Sequence, residues 1–335
     1  MRVHSGTGRP TRAARALTAL LLAAAVAGCG VTRGDDSRDL LMIIPNSPGG
    51  GYDQTGREAV AVMESDDVTG GSFTVDNIVG AGGAGAMTSL MGRAGDEHTM
   101  MTVGLGVVGS TYSFASEYDV GDATPLAQLM SEPEGILVAA DSPYETVEEF
   151  AEAWKADPGS IAIGGGSSPG GPDHLFPMQL AAELGIDPND VNYVSYDGGG
   201  PLTSALLGDK IGVGFSGLPE FAGYIEEGDL RVLAVSGEER YPEGSQFSDV
   251  PTLTESGIDL VFLNWRGVLA PPEISEERTE ELIGYLETMH DSPGWQAALE
   301  EYGWTDDFKT GDDFATFIAE QDQRVSGTLE ELGLL

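Results

Sequence analysis

The chain is 335 residues long and 41% apolar, so it can bury substantial cores and, at about 150 residues per domain, divides into about two lobes. Its 55 acidic residues against 16 basic ones give a formal net charge of −39, which disfavours nucleic acid and anionic membrane surfaces as partners. Such a chain still binds an anion where local donors, backbone N–H groups and helix N-termini, build the site.

In chain order, Arg2, Arg9, Arg12 and Arg15 form a basic stretch ahead of an apolar run over residues 16–27. That run is shorter than the about 20 residues of a membrane span and has the shape of a secretory signal. It closes as Val26-Ala27-Gly28-Cys29, which resembles the bacterial lipobox, where small residues admit a peptidase and the cysteine thiol takes a diacylglyceryl group. Cys29 is the only cysteine, so an internal disulfide is excluded. Residues 1–28 therefore read as a lipoprotein signal peptide, Cys29 as the lipidation site and residues 29–38 as a tether. The expected location is extracytoplasmic, lipid-anchored to the cell membrane.

After the tether one unit recurs: a short β-like run, a glycine-rich turn and a helix-like stretch. It first covers residues 40–44, 47–53 and 54–63, with Asp53 placed to cap the helix. The second covers 73–79, 80–85 and 86–91, and the third 161–163, 164–171 and 172–184, with Pro172 in the first helical turn. The fourth covers 191–196, 197–200 and 201–207; further strands are expected at 100–103, 135–139, 211–215 and 231–235. Alternation of this kind implies an α/β fold of parallel sheets flanked by helices, with ligands beyond the strand C-terminal ends where these turns gather. Toward the C-terminus, Leu282, Ile283, Leu286 and Met289, then Phe314, Phe317, Ile318, Val325 and Leu329, have the spacing of core-facing helix stripes.

Two of the glycine turns imitate catalytic or cofactor motifs. Gly80-Ala81-Gly82-Gly83-Ala84-Gly85 reads as G-x-G-x-x-G, but residues 103–110, where a dinucleotide site needs its ribose-binding acid, contain none; Asp96 and Glu97 precede the strand. Gly166-Ser167-Ser168-Pro169-Gly170 reads as G-x-S-x-G, yet the residue after the serine is proline, which has no N–H for an oxyanion hole. Of the histidines only His290 has the chain order a serine acyl hydrolase would need, so Ser168 with His290 is the weaker reading. Asp96-Glu97-His98 has no ligand partner at helical spacing and reads as a solvated turn. No catalytic residue, metal site or cofactor is expected. What remains is a set of donor-rich turns suited to holding a carboxylate.

A series of segments then carries a resemblance. These are Pro45-Asn-Ser-Pro-Gly-Gly-Gly-Tyr-Asp53 with Arg57, Asn77-Ile-Val-Gly-Ala-Gly-Gly-Ala-Gly85, residues 164–174, Tyr196-Asp-Gly-Gly-Gly-Pro201, Leu230-Arg-Val-Leu-Ala-Val235, Val250-Pro-Thr-Leu-Thr-Glu-Ser-Gly257 and Trp265-Arg-Gly-Val-Leu-Ala-Pro271. In this order, over nearly the whole mature chain, they resemble the solute receptors of tripartite tricarboxylate transporters, the Bug receptors. The resemblance implies a two-lobed periplasmic-binding-protein fold, type II-like, with the ligand in the interlobe cleft and closure as the binding event. Lobe 1 would comprise residues 39–138 plus 266–335 and lobe 2 residues 139–265, with crossings near 137–141 and 263–266.

Position by position, the resemblance implies that Gly50, Gly51 and Asp53 form the first ligand loop and Ala81, Gly82 and Gly83 lie in the second, together gripping one carboxylate. Ser167, Ser168 and His174 fall in the second-lobe loop, and Tyr196, Asp197 and Gly198 in the loop that completes closure. Asp197 stands where the family often has lysine, so it repels a second carboxylate unless it points outward or binds an ammonium group; Tyr52 stands where a small hydroxyl residue is common. Both departures count against a tricarboxylate and favour a monocarboxylate, an amino acid or an aromatic acid. The implied partners are a small organic acid or amino acid and the integral-membrane permease subunits of a tripartite transporter; signalling to a membrane kinase is the alternative output.

Overall fold

The computed structural model describes Arg2, residues 38–196 and residues 198–335. The expected signal peptide, Cys29, the tether up to residue 37 and Asp197 lie outside the described residues.

Six elements open the fold: β1 (Leu40–Ile44), α1 (Gly51–Ser65), β2 (Phe73–Asn77), α2 (Ala84–Met91), β3 (Thr99–Gly104) and α3 (Leu105–Ser113). Next come β4 (Thr124–Ala139), α4 (Val147–Ala156), β5 (Ile163–Gly165), α5 (Pro172–Glu183), β6 (Tyr193–Ser195), α6 (Gly199–Leu207), β7 (Val213–Gly217), α7 (Ala222–Glu226) and β8 (Leu230–Val235). The chain closes with β9 (Leu263–Ala270), α8 (Glu276–His290), α9 (Pro293–Tyr302), β10 (Lys309–Thr310) and α10 (Gly311–Glu331).

The strands form one curled sheet in the order β2-β1-β3-β9-β4-β7-β5-β6, with β8 and β10 also paired to β4. Strands from the repeated units run parallel, β1 with β2 and β3, and β5 with β6 and β7. The antiparallel pairs all involve β4 or β9. β4 is shared between two halves of the sheet: from Thr124 to Pro133 it pairs with β9, and from Glu134 onward with β7 on one side and β8 on the other. The strand expected at 135–139 is thus the end of a much longer one. Pro125, Gln128, Ser131, Glu132 and Pro133 break both the apolar run and the alternation that mark a strand, although Gln128, Ser131 and Glu132 are all buried.

Local chemistry sets the helix starts. α1 begins at Gly51 with Gly50 as N-cap, and Asp53 lies inside the first turn, where its carboxylate accepts the Gly49 N–H at 2.8 Å. The same carboxylate accepts from Asn77 Nδ2 at 2.8 Å and pairs with Arg57 at 2.7 Å, which ties α1 to the end of β2. Burial opposes the charge of Asp53, but the bonds from Asn77, Gly49 and Arg57 outweigh it and hold the carboxyl below its ordinary range. α5 starts with Pro172 in its first turn, and Ser275 and Ser292 cap α8 and α9 by accepting the N–H groups of Arg278 and Trp295.

The C-terminal stripes pack inward. Leu282, Leu286 and Met289 join Met42, Ile44, Leu126 and Met130 under α1, while Phe314, Ile318, Val325 and Leu329 of α10 are buried with Trp265 and Leu269 of β9. The last three helices therefore pack on the half of the sheet that holds β1.

Candidate functional site

A cavity of about 670 Å³, the size of a small-molecule site, opens where the loops after β1, β2, β5, β6 and β7 face one another. These are the C-terminal ends of the parallel strands, where the strand–turn–helix units leave their glycine turns. Gly50 and Gly51, Ala81 and Gly82, Ser167 and Ser168, and Tyr196 and Gly198 line it. Asp53, Gly83 and His174 stand behind the wall. Asp53 holds the first loop through Gly49, as above. Gly83 is the left-handed residue, φ 110°, that turns the second loop into α2. His174 is buried beside Tyr193, its Nδ1 accepting the Gly170 N–H at 3.1 Å, and burial pushes its pKa down to about 4, so it is neutral. It fastens the 167–170 loop and keeps its ring off the ligand space.

Among the described residues no histidine lines the cavity around Ser168. His290 sits at the end of α8, stacked on Phe308 and hydrogen-bonded to Asp306 at 2.9 Å. Ser167 serves the fold: its hydroxyl accepts the Asp173 N–H at 3.1 Å at the start of α5.

The sequence reading assigns no ligand role to the charged groups that the fold gathers at the cavity floor. Arg266 of β9 reaches across to Glu132 of β4, Nη2 to Oε1 at 2.7 Å, and lies over the Tyr52 ring at 5.5 Å. Asn264 also donates to Glu132, at 3.1 Å. Burial works against the Arg266 charge, but Glu132, Tyr52, Glu220 and Glu134 around it outweigh that and hold its pKa above the ordinary value. Glu134, Asp173 and Glu220 line the same floor. Burial, reinforced for Glu220 by the Asp173 charge, pushes Glu220 up to about 7, and burial pushes Asp173 up to about 6. No local pattern in the sequence marks them: a buried charge needs a partner, and Glu132 and Arg266 find theirs only once β4 and β9 pair.

The two halves of the sheet meet around this cavity. The Gly51 N–H at the head of α1 donates to Glu220 Oε1 at 3.1 Å, and Ser113 Oγ donates to the Pro169 carbonyl at 2.5 Å. Gly109 of α3 packs backbone to backbone against Gly170, so closely that a Cβ built at 109 would sit 1.9 Å from the Gly170 carbonyl oxygen. Only glycine permits that approach.

Comparison with known proteins places this geometry. Residues 61–334 match the family described as the tripartite tricarboxylate transporter family receptor. A Cupriavidus necator protein, the UPF0065 protein in gbd 5'region, is 29% identical over 300 residues, covering 89% of this chain and 88% of its own. The periplasmic binding protein BugD, 21% identical, superposes with a TM-score of 0.76 over 88% of this chain and 98% of its own. An R. palustris protein solved with adipate, 22% identical, reaches 0.78 over 88% and 97%. The fold is the two-lobed α/β fold of periplasmic binding proteins. The chain belongs to the tripartite tricarboxylate transporter receptor family.

Proposed function

We propose that this protein is an extracytoplasmic solute receptor, lipid-anchored through Cys29, that closes two lobes over a small carboxylate-bearing solute and delivers it to the permease subunits of a tripartite transporter. In this reading lobe 1 is residues 39–138 with 266–335, lobe 2 is residues 139–265, and β4 and β9 carry the crossings. One observation supports it above the rest: glycine-rich loops from both halves of the sheet face each other across a small-molecule-sized cavity. Adipate in the R. palustris neighbour is consistent with a carboxylate ligand. Gly50, Gly51, Ala81, Gly82, Ser167, Ser168, Tyr196 and Gly198 are the proposed contacts. Asp53, Gly83 and His174 hold these loops in place, and Asp197 belongs to the closing loop. Among the described residues no helix is long and apolar enough to cross a membrane.

The test is thermal unfolding of the protein against mono- and dicarboxylates, tricarboxylates, amino acids and aromatic acids. A ligand at ~100 times its dissociation constant adds about 2.7 kcal/mol of stability. A shift confined to one chemical class, and lost in Gly51→Val, whose side chain would fall on the Arg266 guanidinium, supports the receptor. No shift across the panel, together with hydrolysis of an activated ester that Ser168→Ala abolishes, overturns it.

A further inference from the structure

Glu134 lies on β4 at the cavity floor with none of its side chain exposed, and neither of its carboxylate oxygens has a hydrogen-bond partner. Its backbone is fixed, since its N–H donates to Ser236 Oγ at 2.8 Å. The neighbouring carboxylates are each engaged. Glu132 accepts from Arg266 at 2.7 Å and from Asn264 at 3.1 Å, Asp173 accepts the Gly166 N–H at 2.7 Å, and Glu220 accepts the Gly51 N–H at 3.1 Å. Arg266, the one cation in the cavity wall among the described residues, is already committed to Glu132. A buried carboxyl left without a donor is costly, and native structures keep such a group where another molecule supplies the partner.

We infer that Glu134 is a cation subsite: it accepts N–H bonds from an ammonium or amidinium group of a solute whose carboxylate lies against the glycine loops at 49–51 and 80–82. This rests on the receptor reading and narrows its ligand class. An ammonium group brings three donors and no acceptor, which matches two empty acceptor oxygens and the surplus of carboxylates over cations at the floor. A second carboxylate on the solute would instead face Glu134, Asp173 and Glu220 together. An organic cation suits the site better than a metal ion, because among the described residues no three His, Cys, Asp or Glu side chains converge to hold one. Burial, then the charges of Asp173 and Glu132, push the Glu134 carboxyl well above its ordinary range, while Arg266 pulls the other way. A bound cation therefore displaces a proton from it. The groups facing Glu134 are Glu132, Asp173, Glu220, Arg266, Tyr193 and Tyr241.

Calorimetric titration near neutral pH with butyrate, succinate, 2-aminobutyrate and 4-aminobutyrate tests this. The expected result is that one of the amino compounds binds at least about tenfold more tightly than butyrate or succinate, with proton release detected by comparing two buffers of different ionisation enthalpy. Glu134→Gln, which keeps the shape and removes the charge, should cut that preference by about tenfold or more. If that variant does not fold, Glu134→Asp, which keeps the carboxyl but draws it back, should weaken the preference instead; proton release reports on the floor as a whole, since Asp173 and Glu220 also hold raised carboxyls there. Butyrate or succinate binding at least as tightly as both amino compounds overturns the cation subsite and leaves the carboxylate receptor standing. An amino-compound preference that Glu134→Gln leaves unchanged overturns the assignment to Glu134. No binding by any of the four, with no stabilisation by the wider panel, overturns the receptor reading and this inference with it.

Discussion

Replacing Gly109 by alanine separates closure from ligand contact. Gly109 is inside α3, does not line the cavity, and packs its backbone against the loop before α5. A Cβ there would stand 1.9 Å from the Gly170 oxygen, against an ordinary non-bonded separation of about 3.5 Å, so the facing loop must retreat by roughly 1.5 Å. Overpacking of this kind costs about 1–3 kcal/mol, which falls only on the state in which the two loops touch. At about 1.4 kcal/mol per factor of ten, ligand affinity should drop by about 5- to 140-fold. If the lobes open as proposed, the methyl group is harmless in that state, and alanine in place of glycine in a helix interior adds about 0.5–1 kcal/mol. The variant should therefore bind more weakly yet unfold at the same or a slightly higher temperature when ligand-free. Titration calorimetry with whichever compound stabilises the parent most, beside scanning calorimetry of both proteins without ligand, reads the two quantities. Unchanged affinity, or a ligand-free variant destabilised by the full 1–3 kcal/mol, would refute the reasoning, because the contact would then be permanent packing.

Other outcomes follow from the floor and its supports. Arg266→Met should cost about 3–5 kcal/mol in urea unfolding, because it strands Glu132 as a buried charge, and adding Glu132→Leu should recover most of that loss. The ligand-free protein should lose stability as pH rises from about 4 to 7: carboxyls raised to about 6 in Asp173 and about 7 in Glu220, and well raised in Glu134, keep protons that the unfolded chain has already released. Glu132, Arg266, Tyr193 and Tyr241 complete the set facing Glu134, and Glu134→Gln should flatten the decline; a pH titration of urea midpoints that rises over this window counts against the buried carboxylates. His174 works in the opposite sense, since a pKa lowered from 6.5 to about 4 removes stability as pH falls through that interval. His174→Leu should destabilise by about 1–3 kcal/mol at neutral pH by leaving the Gly170 N–H unpaired, measured by the same unfolding curves.

The strand–turn–helix units were legible because each signals itself locally. Residues 40–44, 73–77 and 172–183 carry an apolar run or a well-placed proline, and the glycines between them fall at the loops that line the cavity. The C-terminal stripes were legible for the same reason, their helical spacing. The full extent of the long strand β4 was not. β4 mixes two prolines with buried Gln128, Ser131, Glu132 and Glu134, so nothing in its pattern separates a central strand from a polar loop. The charged floor was hidden in turn, because Glu132 and Arg266 are 134 residues apart and meet only through the pairing of β4 with β9. His174 illustrates the reverse case. Its position in a ligand loop suggests contact, but its ring turns back to Gly170, and only the packing of α5 against Tyr193 decides that.

Glu132 and Glu134 stand two residues apart on β4, one on each side of the point where that strand changes partners. If the lobes close as proposed, a force applied at this pivot has almost no lever arm, so whatever these carboxylates hold does little to swing the lobes, and the leverage belongs to the outer loops around Gly51, Gly82, Ser168 and Gly198. On that proposal, substitutions along the axle would revise which solute is admitted while leaving the jaws, and the surface they present when shut, as they are.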